Sequence, residues 1–518
     1  MAAVRVRRSG FVAFTVRILS AITGLIFVVL VTNNISQADF GLWSLVLRVI
    51  TYVAFAGNIL FFWTLRYRAR GTIVGRTSFI GALILSAILS GVYIPISIVI
   101  ASTATTDFGY SLFFFLLAAP QIVLSLTAGT IESILLGYFP EKASLGFMIY
   151  EFAKVIIGVI AVPILHLSLE GAILAVIVAQ ICQAISLGFL AKGEFGDKIS
   201  FGVLGKMFRT GWLAILTGIP PLIISLDFLI VSELTKSLTE LADFGAALTV
   251  AAVVGYSSWL TTGLYASILS GKDSKASTSQ IFNLQVVFVV PMALGAIILS
   301  YRMLHAFNPI YATAWPILVV LAIATAFSSI TNTPETVISG TDMTDLSNKT
   351  DFSLYRKSKL FLLSKINITL ACVHLIVISI VGLFFGTTLL SETVNFLGYP
   401  MSGLVAFGVI WATIYLLVSA IGLGIKTRLS LRILPVRLLE RSTTLKIAFS
   451  GLGFVVSSYT LSRIIPLIGG TIQQAIEIGI IGLISLAVYG SILFALDSNI
   501  RNLTKAAAGM FISSLKEI

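Results

Sequence analysis

The sequence is poor in charged residues. Only 11% of its 518 residues are Asp, Glu, Lys or Arg, whereas about a quarter of an ordinary soluble domain is charged. So few charges cannot cover a water-facing surface, which excludes a cytosolic enzyme. The mean hydropathy of +1.03 leaves no room for a large soluble domain between the apolar stretches, because such a domain would lower the mean. The composition therefore predicts an integral membrane protein.

Cysteine, histidine and nucleotide-binding motifs are also scarce. The two cysteines, Cys182 and Cys372, lie inside apolar runs, so no secreted disulfide framework is expected. The three histidines, His166, His305 and His374, are far apart and lack the spacing of a metal site, and we predict no role for them. The sequence has no Walker motif and so gives no indication of ATP hydrolysis. No resident metal or cofactor is predicted.

Long apolar runs recur along the whole chain. A helix needs about 20 apolar residues to cross a bilayer, whereas the strands of a transmembrane barrel alternate apolar and polar positions, so near-continuous runs exclude a barrel. The first run is too long for a signal peptide and lacks a small-residue cleavage site, so we expect it to be retained. We predict an all-α protein with about fourteen transmembrane helices, at 9–32, 41–63, 77–101, 109–137, 144–166, 170–191, 210–232, 244–269, 281–301, 311–339, 360–386, 400–424, 444–466 and 472–496. Gly398 and Pro400 interrupt the chain before the twelfth span, where a re-entrant piece is an alternative.

The net charge of +12 comes from basic residues that fall on one side of this topology. Of the 34 Lys and Arg residues, 28 lie in the N-terminal segment, the even-numbered loops or the C-terminal segment, and only Lys236, Arg302 and Arg463 lie on the opposite side. Basic residues mark the cytoplasmic loops of membrane proteins. We therefore predict a multi-pass protein of the plasma membrane with both termini in the cytoplasm. The positive charge is explained by topology, and no nucleic-acid partner is expected.

A short sequence repeat divides the chain. The residues ADFG occur at 38–41 and again at 242–245, an offset of 204 residues, each time between an odd-numbered span and the next one. The repeat relates the first six spans to the following six. Because six is even, both halves would have the same orientation in the membrane. We predict an N-terminal lobe at 1–199, a C-terminal lobe at 200–425, and at 426–518 two further helices with a basic cytoplasmic linker and tail.

Two segments resemble a known transporter family. Residues 30–43, LVTNNISQADFGLW, are similar to the junction of the first two spans in Wzx-type polysaccharide-unit flippases, which belong to the multidrug/oligosaccharidyl-lipid/polysaccharide (MOP) exporter superfamily. The segment 218–245, with Pro220, Pro221, Asp227 and the second ADFG, is similar to the seventh span of that family. The arrangement of six, six and two spans matches as well, so the resemblance covers essentially the whole chain.

The resemblance implies a MATE/MOP-like fold, in which two six-helix lobes enclose a cavity that opens alternately to either side and moves lipid-linked sugars outward. The implied partners are a polyprenyl-phosphate-linked glycan, membrane lipids, and a glycan polymerase or transferase of the same pathway. Lipid II flippases of the superfamily also have fourteen spans and cavity arginines, so a peptidoglycan precursor is an alternative cargo. A cation-coupled drug exporter is a second alternative, although twelve spans and an apolar or acidic cavity are typical of it. A polysaccharide polymerase or ligase is less favoured, because every predicted outer loop is short.

Three basic residues within predicted spans are candidate ligands of a phosphate. A phosphate-linked glycan is strongly hydrated, so it needs a polar path while its lipid tail stays in the bilayer. Arg17 lies about 12 Å from the inner start of the first span, and Arg48 lies a similar distance from the outer end of the second. Guanidinium groups suit phosphate through paired hydrogen bonds, although each arginine can instead reach an interface or pair with a carboxylate. The third is Lys154, which follows Glu151 by three residues, and this spacing predicts an ion pair on one helix face.

Two acidic residues are candidates for binding a coupling ion, either Na⁺ or H⁺. Asp227 follows Pro220 and Pro221 in the seventh span, where irregular backbone is expected, but it can equally cap local structure or pair with arginine. Glu335 ends the segment TNTPE at 331–335, whose proline and polar residues are expected to break the tenth span where a cavity needs exposed backbone. No residue is assigned a catalytic role.

Overall fold

The computed structural model is mostly helical. It describes residues 37–104, 107–235, 238–271, 274–344, 352–385, 399–436, 441–466 and 471–498, with shorter pieces at 12–16, 19–20, 23–24, 26–27, 30–31, 34–35, 393–396, 438 and 501.

The α-helices are numbered in chain order. They are α1 (Gln37–Ala54), α2 (Asn58–Ala69), α3 (Gly75–Ala104), α4 (Phe108–Ala118), α5 (Pro120–Tyr138), α6 (Pro140–Val159), α7 (Ser168–Leu190), α8 (Phe201–Arg209), α9 (Gly211–Gly218), α10 (Pro220–Ile224), α11 (Asp227–Thr235), α12 (Leu238–Gly255), α13 (Thr262–Leu269), α14 (Ser274–Ile298), α15 (Ser300–Phe307), α16 (Trp315–Gly340), α17 (Phe352–Arg356), α18 (Lys359–Phe385), α19 (Gly403–Ile433), α20 (Arg441–Ile464) and α21 (Thr471–Leu496). Short 3₁₀ segments at Phe55–Gly57, Tyr256–Thr261 and Pro309–Ala314 join α1 to α2, α12 to α13 and α15 to α16.

The prediction of an all-α multi-pass membrane protein is confirmed. Within the described residues, twelve helical stretches are long and apolar enough to cross a membrane, and they match twelve of the predicted spans in position. Of the other two predicted spans, the first lies partly outside the described residues, and the seventh is divided into short helices. The count of fourteen stays a prediction.

The seventh predicted span is divided because two prolines interrupt it. Pro220 and Pro221 begin the short helix α10 and offer no N–H group to the preceding turn. The N–H of Ser225 still donates to the Pro221 carbonyl at 3.0 Å, so the backbone keeps a helical hydrogen bond directly after the prolines. Asp227 is the first residue of α11, directly after this interruption, as the sequence predicts.

The helices form two compact units. The first contains Met1–Pro220, Trp259–Ser277 and Thr336–Lys365, and the second contains Pro221–Ser258, Thr278–Glu335 and Ile366–Ile518. These units group residues that are in contact, whereas the predicted lobes divide the sequence by its repeat. The lobe boundaries stay a prediction.

The core of the first unit is built on close contact between helices. Fully buried aromatic side chains of α2, α3 and α4, including Trp63, Tyr93 and Phe114, fill it. The helices α2 and α5 pack backbone against backbone at Gly137, where an added Cβ would lie 2.9 Å from the carbonyl oxygen of Leu65. Glycine is therefore required at this crossing.

An aromatic cluster forms the core of the second unit. The indole ring of Trp411 in α19 stacks on the ring of Phe244 in α12, with centroids 3.6 Å apart and an interplanar angle of 8°. Phe228 of α11 meets the same indole edge-on at 5.0 Å. The cluster fixes the start of α11, and with it Asp227, against α12 and α19.

Two features around α19 differ from the sequence prediction. The helix continues to Ile433, nine residues beyond the predicted end of the span at 424, so that Lys426 lies inside the helix and is only 8% exposed. Its charge suggested a loop, but a lysine with a carboxylate partner can be buried in a helix. Before α19, strands β1 (Thr393–Phe396) and β2 (Tyr399–Ser402) form an antiparallel hairpin in place of the re-entrant piece.

Candidate functional site

One face of α1 is polar where this helix is exposed. Arg48, Thr51 and Tyr52 are exposed and follow one another at helical spacing, whereas Val46 and Val49 on the other side are buried in the core of the first unit. Arg48 lies about 16 Å along the helix from its first residue. A charged side chain at such a position is expensive against lipid and is expected to face water. This face has the chemistry of a polar path lined by a fixed positive charge.

The predicted pair of Glu151 and Lys154 is confirmed. The Lys154 Nζ atom lies 2.9 Å from the Glu151 Oε2 atom, and the Thr23 hydroxyl donates to the same oxygen at 2.9 Å. The ammonium group also lies 5.5 Å from the ring centre of Phe27 and 5.0 Å from that of Tyr150. The carboxylate and the two rings stabilise a cation within the span. Lys154 is thus already neutralised, and its predicted role as a phosphate ligand stays a prediction.

Asp227 lies at the centre of a buried polar cluster in the second unit. Its Oδ1 atom accepts a hydrogen bond from the N–H of Phe228, the next residue in α11, at 2.8 Å. Its Oδ2 atom accepts from the indole N–H of Trp411 at 2.9 Å and lies 2.9 Å from the His374 Nε2 atom. Asp227 is 3% exposed and His374 is 1% exposed. A carboxylate and an imidazole at hydrogen-bonding distance away from water form a site that can hold a proton.

The sequence predicts no role for His374, whereas the structure places its imidazole against Asp227. The ring of His374 meets the ring of Tyr415 edge-on at 5.7 Å, and α11, α18 and α19 each contribute to its surroundings. A histidine in the middle of the long apolar run of α18 was the available signal, because an ionisable residue at membrane depth marks a functional position by default. Its partner could not be predicted, since 147 residues separate the two.

Glu335 is paired with a lysine. The Lys426 Nζ atom of α19 donates to the Glu335 Oε1 atom at 2.5 Å, and the Asn367 amide of α18 donates to the same oxygen at 3.5 Å. The Glu335 side chain remains 29% exposed. The sequence does not predict this partner, because Lys426 lies beyond the predicted end of the twelfth span at 424. The exposed fraction keeps Glu335 a candidate cavity acid.

The expected break in the tenth span is wrong. Helix α16 runs without interruption from Trp315 to Gly340 and contains Pro334. Polar side chains beside the proline donate to carbonyl groups of the preceding turn, with the Thr331 hydroxyl bonded to the Phe327 carbonyl at 2.7 Å and the Asn332 amide to the Ser328 carbonyl. Proline is tolerated within membrane-spanning helices, and α16 remains continuous around Pro334.

Arg17 lies outside the described residues, so its surroundings are not described. The candidates that the structure does describe fall into separate groups: Arg48 and the Glu151–Lys154 pair belong to the first unit, and Asp227 and Glu335 belong to the second. Each group is therefore treated as a site of its own.

An apolar groove lies between α20 and α21. Its volume is about 530 Å³, and it is lined by Leu452, Val456 and Leu461 of α20 and by Ile484 and Val488 of α21. Neighbouring side chains on these helices, including Phe449 and Leu483, are exposed, as expected of a surface that faces lipid. Its apolar lining suits a hydrocarbon chain.

The fold is shared with solved transporter structures. A MATE structure in complex with MaD3S matches with a TM-score of 0.61 and 13% identity, covering 83% of this chain and 96% of that chain. A MOP superfamily transporter from Pyrococcus furiosus Vc1 (DSM3638), described as having a binding pocket of reverse polarity that suggests a different function, matches with a TM-score of 0.60 and 12% identity over the same shares. A MATE structure in the straight conformation matches with a TM-score of 0.58 and 13% identity, again over these shares. No family model and no curated protein sequence matches the chain.

These matches establish the class of fold. The protein is a multi-pass, mostly helical membrane protein with the fold of MATE transporters and other members of the MOP superfamily. At 12 to 13% identity, the likeness is one of architecture. The cargo must be argued from the residues of this chain.

Proposed function

We propose that the protein is a flippase that carries a lipid-linked oligosaccharide or polysaccharide repeat unit from the cytoplasmic to the outer leaflet of the plasma membrane by alternating access. The observation that carries this proposal is the exposed polar face of α1, where Arg48 stands beside Thr51 and Tyr52 inside a transmembrane helix. A phosphate or sugar hydroxyl without hydrogen-bond partners is costly in hydrocarbon. A polar face lowers that cost because its side chains supply hydrogen bonds in place of water. A guanidinium at this depth favours an anionic cargo.

The lipid part of this cargo needs a different environment from its sugar part. The groove between α20 and α21 is lined by apolar side chains and supports a position for a polyprenyl chain at the surface of the second unit. A lipid tail bound there would stay in contact with the bilayer. A soluble drug needs no such groove, which is why we rank the drug exporter below the flippase.

Lipid II is the alternative cargo, because it also joins a polyprenyl chain to a sugar through phosphate groups. The feature common to both is an anionic lipid-linked glycan, and a direct analysis of accumulated lipids distinguishes them. A polysaccharide polymerase or ligase remains the alternative from another class. In our proposal such enzymes are partners that supply or consume the cargo on either side of the membrane.

Asp227 and His374 form the proposed site of a coupling proton. Hard cations such as Na⁺ prefer a shell of oxygen ligands. The described neighbours of the Asp227 carboxylate are the N–H groups of Phe228 and Trp411 and the imidazole of His374, which favour a proton over Na⁺. Protonation of this pair changes the charge at the start of α11, beside the interruption of the seventh span, where a change of helix direction is least costly.

The cargo is tested by depleting the protein and analysing lipid-linked glycans by mass spectrometry, with membrane-impermeant labelling to assign each to a leaflet. We expect complete repeat units to accumulate on the cytoplasmic leaflet. Arg48→Ala should fail to restore export although the protein is present in the membrane, Arg48→Lys should restore it in part, and Arg76→Ala, at an exposed arginine near a helix start, should restore it fully.

Three outcomes would contradict the proposal. Normal export with Arg48→Ala would refute the role of the polar face. Units that reach the outer leaflet but stay unpolymerised would favour a polymerase, and an unchanged glycolipid pool in depleted cells would favour a drug exporter.

The coupling site is tested in proteoliposomes with the purified full-length protein and the glycolipid that accumulates on depletion. A pH gradient should drive transfer by the parent protein, and His374→Gln should lower this dependence by about tenfold or more while leaving slow, gradient-independent exchange. A Na⁺ gradient that drives the parent equally well, or a His374→Gln variant with the parent's pH dependence, would refute the proton site.

A further inference from the structure

We propose that Arg66 is a latch that holds the basic, predicted cytoplasmic side of the protein shut in this conformation. The Arg66 side chain is fully buried at the end of α2. Its Nη1 atom donates to the Tyr265 hydroxyl of α13 at 3.1 Å and to the Ser339 carbonyl of α16 at 2.8 Å, and its Nη2 atom donates to the Asp342 carbonyl at 2.8 Å. One guanidinium thus ties together the ends of three helices within the first unit.

Asp342 extends the latch to a fourth helix. Its Oδ2 atom accepts hydrogen bonds from the N–H groups of Lys359 at 2.7 Å and Leu360 at 3.3 Å, which caps the start of α18. Its Oδ1 atom lies 3.9 Å from the Arg66 Nη2 atom, and Arg70, one turn after Arg66, donates to the same Asp342 carbonyl. The turn after α16 is therefore held both by two arginines of the α2 segment and by the start of α18.

The latch joins parts of the chain that the sequence repeat assigns to different lobes. Arg66 belongs to the predicted lobe at 1–199, whereas Tyr265, Ser339 and Asp342 belong to the predicted lobe at 200–425. If the two lobes move apart on this side during alternating access, these contacts must break. The latch therefore rests on the transport mechanism in our proposed function, although it does not depend on the identity of the cargo.

The chemistry of the latch suits a reversible contact. Its main acceptors are neutral carbonyl oxygens at the end of a helix, where the helix dipole favours a cation. Water can replace both the donor and the acceptors when the ends separate, so opening exchanges hydrogen bonds and does not strip a charge of all its partners. In a latch made only of apolar contacts, water could not replace the contacts that are lost on opening.

Thr336 provides a position to measure opening. It lies on α16 one helical turn before Gly340, whose backbone approaches Ile268 of α13, and it is 9% exposed. In full-length protein with Cys182→Ala and Cys372→Ala, we would introduce Thr336→Cys and measure its reaction with a membrane-impermeant maleimide from the basic side in inside-out vesicles. Labelling should be slow when Arg66 is present.

Arg66→Gln should raise the labelling rate by at least about tenfold, since it removes a charged donor from three acceptors. Tyr265→Phe deletes one acceptor and leaves the helix ends intact, so it should raise the rate by a smaller factor of about three to ten. Arg76→Gln, at an exposed arginine on the same side, is the matched control and should leave the rate unchanged.

Unchanged labelling in both Arg66→Gln and Tyr265→Phe would overturn the latch, and so would an equal increase in Arg76→Gln. Thermal unfolding of each variant in detergent tells local opening from misfolding, and Tyr265→Phe decides the matter if Arg66→Gln does not fold. Faster labelling in a protein that moves no glycolipid would support the latch and refute the proposed cargo. The two hypotheses are thus distinguishable.

Discussion

The cluster around Asp227 makes a strong prediction about stability. Asp227→Ala removes the acceptor of three groups: the N–H of Phe228, the indole N–H of Trp411, and His374. Trp411 and His374 are almost completely buried, so neither can turn to water. An orphaned buried polar group costs roughly 1–3 kcal/mol, and this change orphans more than one of them. We therefore expect Asp227→Ala to lower the free energy of unfolding by about 3–5 kcal/mol.

Asp227→Asn is the matched control. Its side-chain carbonyl can still accept from Trp411, and its amide can hydrogen-bond to the imidazole of His374, so the expected loss is only about 1–2 kcal/mol. Both variants would be measured by denaturant unfolding of the full-length protein in detergent, followed by size-exclusion chromatography. If the free energy of unfolding of Asp227→Ala lies within about 0.5 kcal/mol of the parent value, the cluster does not stabilise the protein and the prediction is refuted.

Two further predictions concern the first unit and use the same unfolding assay. Gly137→Leu should destabilise the protein by about 1–3 kcal/mol, because its Cβ would lie 2.9 Å from the Leu65 carbonyl oxygen and α5 must move away from α2. An unchanged free energy of unfolding would show that these helices do not pack closely. Glu151→Gln should cost about 3–5 kcal/mol because it leaves Lys154 buried without its carboxylate, and adding Lys154→Met should restore most of the loss. Equal stability of the single and double variants would contradict the ion pair.

Local features of this protein were predictable from its sequence. The helical spans follow from apolar runs of sufficient length, and the pair of Glu151 and Lys154 follows from a spacing that places both on one helix face. The interruption before Asp227 follows from two adjacent prolines that cannot donate to the preceding turn. In each case the interacting residues are neighbours in the chain, so the sequence contains the necessary information.

Contacts between distant segments were not predictable. Asp227 and Trp411 are 184 residues apart, and the sequence does not indicate which of many apolar helices lie beside each other. Glu335 and Lys426 are 91 residues apart, and the lysine was assigned to a loop because an unpaired charge is costly in a membrane. The Glu335 carboxylate makes a buried lysine tolerable at position 426, and only the fold brings the two residues together. Arg66, one of the 28 basic residues on the predicted cytoplasmic side, shows the same limit.

The stacking of Trp411 on Phe244 has an optical consequence. The indole N–H of Trp411 donates directly to the carboxylate of Asp227, so the proton uptake or release that we propose there would change the field across a fluorophore that is shielded from water. The chain has six tryptophans, and a variant that keeps Trp411 and has phenylalanine at the other five would emit from this position only. The protein thus contains an intrinsic fluorescent reporter at its candidate coupling site, which can be read in intact vesicles without attaching a dye.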